Sequence, residues 1–212
     1  MKALLGKKLG MTQIFDQATG QVTPVTVLQM GPCPVVQVKT RESDGYEAVQ
    51  IGFGDLRSSL ATLPRRGHFR KANVQPRRWL REVRVDSAAE YNVGDEVTVD
   101  VFKDVERVDV VGFSKGRGFT GGIKRHNFST GPKSHGSRNY RQPGAIGQCA
   151  TPARVFKGVR MPGRHGNRRI TTRNLSVRMI DAENNLLLVG GAVPGARNGF
   201  VVVRVAENVG GA

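Results

Sequence analysis

Three histidines and one cysteine, His126, His135, His165 and Cys149, share a single acid-free stretch of this chain. These are zinc-ligand types, but zinc sites are built from close pairs, with ligands about two to five residues apart, and the stretch offers no such pair. The same region contains Gly116-x-Gly118-x-x-Gly121 directly after a strand signal, the lettering of a dinucleotide-binding turn. Its context fails. No apolar helix follows, and the next acid is Asp181, where a ribose-binding carboxylate belongs about 20 residues on. Serines and histidines are plentiful there, yet no carboxylate is at hand to orient an imidazole. A two-metal nuclease needs clustered carboxylates. Elsewhere Asp16, Asp55, Asp95 and Asp104 are scattered at turn positions, where turn capping accounts for them. No catalytic residue, metal site, cofactor or modification is assigned.

What the stretch does carry is positive charge. Between Val110 and Ile180 there is no aspartate or glutamate, against fifteen lysines and arginines. The whole chain has 33 basic and 17 acidic residues, net charge +16, so the remainder is close to neutral. Such a concentration of one sign matches a dense polyanion. The candidate phosphate contacts are Lys115, Arg117, Lys124, Arg125, Lys133, Arg138, Arg141, Arg154, Lys157, Arg160, Arg164, Arg168, Arg169 and Arg173. Gly116, Gly118, Gly121 and Gly122 would let the backbone approach phosphates closely. Phe113, Phe119, Phe128, Tyr140 and Phe156 are interleaved with the cations. They have two readings, stacking on unpaired bases or forming small clusters that stiffen the segment.

The elements that must hold this segment are strands. Val22–Met30 alternates and is β-branched, Val35–Lys39 repeats the pattern, and Tyr46–Ile51 follows a turn signal at Asp44-Gly45, predicting a hairpin. Leu80–Val85, Glu96–Phe102 and Val108–Val111 continue the series, and Leu175–Ile180, Leu186–Val189 and Phe200–Val205 resume it beyond the basic region. Strands at this spacing predict an antiparallel barrel or sandwich. The organisation is therefore a mainly β body, 1–111 and 175–212, with a glycine-rich basic extension over 112–174 inserted between strands. Being poor in large apolar residues, the extension should be largely disordered when free. Residues 57–79 form a smaller basic excursion with Phe69 and Trp79 among its charges. It reads either as a loop whose aromatics tuck against the body or as a second RNA-facing patch.

There is no apolar run of about 18 residues, and the apolar stretch after Lys2 is too short for a signal peptide. The glycines and prolines would break an amphipathic basic helix, which argues against a membrane surface. Cys33 and Cys149 lie far apart, with no disulfide framework, as in a reducing cytoplasm. No helix-turn-helix, basic zipper or zinc finger is present, and a long irregular arm suits folded RNA better than duplex DNA. A general RNA chaperone would bind many RNAs without selecting one folded site. An RNA-modifying enzyme would need an acid, metal or cofactor constellation in the body.

Several motifs resemble one family. Gly6-Lys-Lys-Leu-Gly-Met-Thr-Gln-Ile-Phe15, the spacing from Phe102 through Asp109, Gly112, Ser114, Gly116, Gly118 and Gly121 to Arg125, then Pro143-Gly-Ala-Ile-Gly-Gln148, Thr151-Pro152, Val155-Phe-Lys-Gly158, Met161-x-Gly163 and the run from Asn185 to Gly195 are similar to the bacterial large-subunit ribosomal protein L-three family. The resemblance spans nearly the whole chain. It implies a six-stranded antiparallel β-barrel with a long basic loop that binds large-subunit (23S) rRNA, helps nucleate subunit assembly and reaches toward the peptidyl transferase centre without catalysing the reaction. It also implies neighbouring ribosomal proteins as partners, a cytoplasmic location, and a loop tip near Ser137, Arg138, Asn139, Tyr140 and Gln148. Some bacterial relatives carry a methylated glutamine at the position matching Ala150, so that modification does not transfer.

Overall fold

Alternation of buried and half-exposed apolar residues along Phe200–Val205 is the pattern of a strand with one face on a core. The structure, a computed structural model, describes residues 2–16 and 20–206. In chain order its strands are β1 (Ala3–Phe15), β2 (Val22–Met30), β3 (Cys33–Lys39), β4 (Ala48–Asp55), β5 (Arg77–Arg84), β6 (Glu96–Val97), β7 (Arg107–Phe113), β8 (Phe119–Thr120), β9 (Gly163–Arg164), β10 (Arg169–Asp181), β11 (Leu186–Gly190) and β12 (Phe200–Val205). Three short helices are α1 (Arg41–Asp44), α2 (Leu63–Lys71) and α3 (Gly122–His126). Six strands close into a barrel in the order β1-β12-β7-β10-β11-β2, every neighbour antiparallel. Closure leaves that sheet no free edges along its paired stretch. Leu4, Leu28, Val108, Val110, Leu187, Val189, Val201 and Val203 fill it, all buried, while Leu5, next to Leu4 on β1, is buried on the opposite face.

β1 was not foreseen. Its sequence, with Gly6, Gly10 and two lysines, has no clean two-residue alternation, yet it runs thirteen residues. Gly6 lies so close to Gln29 and Met30 across β2 that a Cβ there would collide with the Gln29 carbonyl oxygen. Close approach of two strands, not β propensity, explains that residue.

The early strands do not all join the barrel. β5, β4, β3 and β6 make a separate four-stranded sheet. Its second strand pair is the foreseen hairpin, with β3 antiparallel to β4. The connecting turn is α1, closed by Gly45 at φ 82. β3 buries both faces: Val35 joins the main core, while Val36 packs with Phe69 of α2 and Ala72 just after its end. Residues 63–71, expected as loop, are helical, with Pro64 in the first turn and Phe69 only 1% exposed. Arg65 of this helix donates to the carbonyls of Arg77 (2.8 Å) and Arg78 (3.1 Å), and His68 pairs with Gln50 at 2.6 Å. The aromatics of the excursion do tuck inward: Trp79 packs against the main core.

The strand expected over Glu96–Phe102 is also corrected. Only Glu96–Val97 pairs, with β3, and Val99–Phe102 coils into a 3-10 turn that plants Val99 and Phe102 in the core. Apolar alternation there reflects two inward anchors of a turn. Of the acids read as turn caps, Asp95 accepts from the Asn92 N–H at 2.8 Å, whereas Asp55 pairs with Arg77.

Cys33 is fully buried, its thiol donating to the Leu5 carbonyl at 3.5 Å. Burial pushes that thiol up to about 12. Cys149 is exposed. Iodoacetamide at pH 8 should therefore modify the native protein at Cys149 alone and reach Cys33 only after unfolding, as counted by mass spectrometry.

Candidate nucleic-acid interface

The chain divides into two compact units, residues 1–114 with 169–212, and residues 115–168. The second unit holds Lys115, Arg117, Lys124, Arg125, Lys133, Arg138, Arg141, Arg154, Lys157, Arg160, Arg164 and Arg168, and no acid. Among its residues only Thr120 and Gly122 are buried. A unit without a core cannot be stabilised by its own apolar contacts, so its charge is available to an outside surface. Arg169 and Arg173, grouped with the extension by sequence, instead stand exposed on β10 in the barrel unit. There Arg169 opposes Phe113 across β7, so the extension leaves and re-enters through adjacent paired strands.

Locally the extension begins as a ribbon. β8 pairs with β9, and beyond them the Arg117 N–H donates to the His165 carbonyl and the His165 N–H to the Gly118 carbonyl, both at 2.9 Å. Gly118 sits at φ +65, which glycine adopts without strain. The remaining close-approach candidates differ. A Cβ on Gly122 would meet the Phe128 ring at 2.8 Å, so that glycine serves ring packing; Gly121 faces open space, and Gly116 has ordinary room beside Asn167.

Arg125 is also partly a structural residue. Its guanidinium donates to the Met161 carbonyl at 2.7 Å and fills the space beside Gly163, while His126 reaches the same carbonyl at 3.0 Å. Sequence cannot distinguish this arginine from its neighbours, because the partner is a backbone oxygen far along the chain. The aromatics sort themselves as well. Phe128 packs on Gly122 and His126, Tyr140 lies under Lys133 (5.3 Å), and Phe156 lies under Arg154 (5.4 Å). Phe119 is 80% exposed. Farther out, Ser137, Arg138, Asn139 and Gln148 are exposed and Tyr140 is half-buried, with the Gly131 N–H donating to the Tyr140 carbonyl at 2.9 Å. Among the described residues no three histidines, cysteines or carboxylates gather as a metal site would require. No described helix is long and apolar enough to cross a membrane.

His165 reports on this electrostatics. Burial of its ring, then the charges of Arg117, Arg125, Arg168 and Lys124, hold its pKa below the usual histidine value. With the folded pKa lower than the unfolded one, the ribbon is most stable above about pH 6.5 and loses stability as pH falls through that value. NMR titration of the free protein should show His165 ionising below an ordinary histidine. An ordinary value would mean the ribbon forms only on RNA. Bound phosphates offset the four cations, so the pKa should rise in the complex.

A closed barrel carrying a coreless, acid-free cationic unit defines an RNA-binding structural protein. Comparison with known proteins narrows the class. The family model described as ribosomal protein L3 matches residues 82–185. The chain is 58% identical over 207 residues to "Large ribosomal subunit protein uL3" of Acidothermus cellulolyticus, covering 97% of this chain and 93% of the relative. It is 58% identical over 203 residues to the protein of that name from Heliobacterium modesticaldum (96% of each), and 54% identical over 207 residues to that from Streptomyces coelicolor (97% and 96%). The chain belongs to the bacterial uL3 family of large-subunit ribosomal proteins. It is a structural, rRNA-binding, non-catalytic component of the cytoplasmic ribosome.

Proposed function

We propose that the extension is the principal rRNA contact of this protein, and that its outer part, near Ser137–Tyr140 and Gln148, lies by the peptidyl transferase centre. The observation that carries this reading is the second compact unit itself, twelve lysines and arginines with no acid and only two buried residues. Its mechanism is electrostatic. Lysines and arginines neutralise phosphates where RNA helices converge and release their counterions, while the β8–β9 ribbon fixes the point of departure. The partners are large-subunit rRNA and adjacent ribosomal proteins. By binding directly and early the protein helps nucleate subunit assembly. Peptide transfer belongs to the RNA.

Cys149 supplies the test, since it is exposed in the extension while Cys33 is buried. An iron–EDTA reagent tethered to Cys149 in assembled subunits generates hydroxyl radicals locally. Cleavage of rRNA clustered around the peptidyl transferase centre is the expected result. Cleavage confined to RNA elsewhere on the subunit would overturn the placement.

A further inference from the structure

The barrel unit has a basic cleft of its own, remote in sequence from the extension. It encloses about 420 Å³ and is lined by Lys7, Asp55, Arg77, Arg78, Trp79 and Asn198, among others. That volume suits one small ligand and excludes a duplex. Three cations face one acid, so the cleft is net positive. The acid is not free, because Asp55 pairs with Arg77. Arg77 Nε is buried without a hydrogen-bond partner among the described residues, and Lys7 lines the cleft half-buried. The cleft therefore offers an anionic ligand the cationic donors of Lys7 and Arg78.

One wall is aromatic and rigid. Trp79 stacks against both Phe53 (centroids 6.0 Å, 22°) and Phe200 (5.1 Å, 20°), and it lies over Gly54, where a Cβ would meet the indole at 2.7 Å. The Arg78 guanidinium lies 4.8 Å over the Trp79 ring. A guanidinium plane backed by an indole is a stacking platform of the kind that holds unpaired bases. Arg78 is itself exposed, and its backbone is pinned by Arg65 of α2, which fixes the platform's position.

We propose that this cleft seats a single unpaired nucleotide of the large-subunit rRNA, a contact separate from the extension. The base stacks on Arg78, Lys7 faces its phosphate, and the Asn198 amide reaches a base edge. This rests on the rRNA-binding reading but not on the extension's share in it.

The test uses the full-length protein and intact large-subunit rRNA over a salt series, with thermal melts confirming that each variant is folded. Lys7→Ala should flatten the log–log salt slope by about 0.7, one single-strand phosphate contact. Arg78→Lys keeps the charge and loses the plane, so it should keep the slope while weakening binding roughly fivefold to a hundredfold, the scale of one stacked base. Chemical probing of 2′-hydroxyl reactivity should show one protected unpaired nucleotide that becomes reactive with Arg78→Ala. An extension variant, Lys124→Ala with Arg164→Ala, runs alongside. If it flattens the slope while both cleft variants match the wild type, the cleft proposal fails and the extension reading stands. If the cleft variants respond and it does not, the extension reading fails instead. Normal rRNA binding by cleft variants that no longer enter subunits would assign the cleft to a protein neighbour and overturn the nucleotide.

Discussion

Replacing residues 115–168 with a short glycine-serine linker will flatten the salt dependence of rRNA binding by about 4 to 5 in log K per log salt, if half of the twelve cations sit on phosphates at roughly 0.7 to 0.9 each. The effect on affinity is large at low salt and shrinks as salt rises. Intact protein with about six to ten phosphate contacts loses roughly 10³ to 10⁵ in affinity between about 50 and 200 mM salt. The linker version, left with 21 basic and 17 acidic residues, should lose far less. The boundary matters. Cutting at 112 and 174 would remove the β7–β10 pairs Phe113–Arg169 through Thr172–Val110, and so damage the barrel. Cutting at 115 and 168 spares them. Residual, site-selective binding by the linker version would show that the barrel unit recognises RNA itself. An unchanged slope would mean the extension is not the anchor.

Phe102→Ala should cost about 3 to 5 kcal/mol, the usual range for deleting a buried phenyl ring. Phe102 is fully buried, at the end of the 3-10 turn that joins β6 to the approach of β7. It belongs to the same core cluster as Val35 and Ile51 of the smaller sheet and Val110 and Val203 of the barrel. The turn backbone cannot follow a shrunken side chain inward without breaking its own hydrogen bonds, so the cavity stays open. Against a total stability of roughly 5 to 15 kcal/mol this is severe. In a thermal melt the midpoint should fall by roughly 6 to 20 °C for a chain of this size. A drop below about 2 °C would show that Phe102 is not a keystone shared by the two sheets.

The barrel strands easiest to read were those whose sequence alternates because one face is buried, such as β12 and β11. β1 was hidden because its glycine at position 6 answers to a neighbour across the sheet, and no local pattern records that. α2 was hidden because a single phenyl, Phe69, anchors a helix whose other residues are an exposed Leu63, Pro64, Gly67 and five basic or histidine side chains, too little buried apolar surface for a helical stripe. The Glu96–Phe102 segment misled for the opposite reason, since a 3-10 turn with two inward valine and phenylalanine anchors mimics a strand. In the interface, the concentration of charge was readable because electrostatics adds up along the chain. The distinct role of Arg125 was not, because it depends on the Met161 carbonyl. Arg77 and Arg78 stood in plain view. Only the fold brings Lys7 and Asn198 to them.

Barrel closure also sets a timetable for synthesis. β1 is sealed by β12, with Ala3 opposite Arg204. At about 5 to 20 residues per second, β1 waits roughly 10 to 40 s for that partner, with only β2 beside it from early on. The polycationic unit leaves the ribosome during this interval. The newborn chain therefore displays its charge to any RNA in the cell before its own body can shut, so a dedicated escort or immediate capture by nascent rRNA would shield it from the wrong partner.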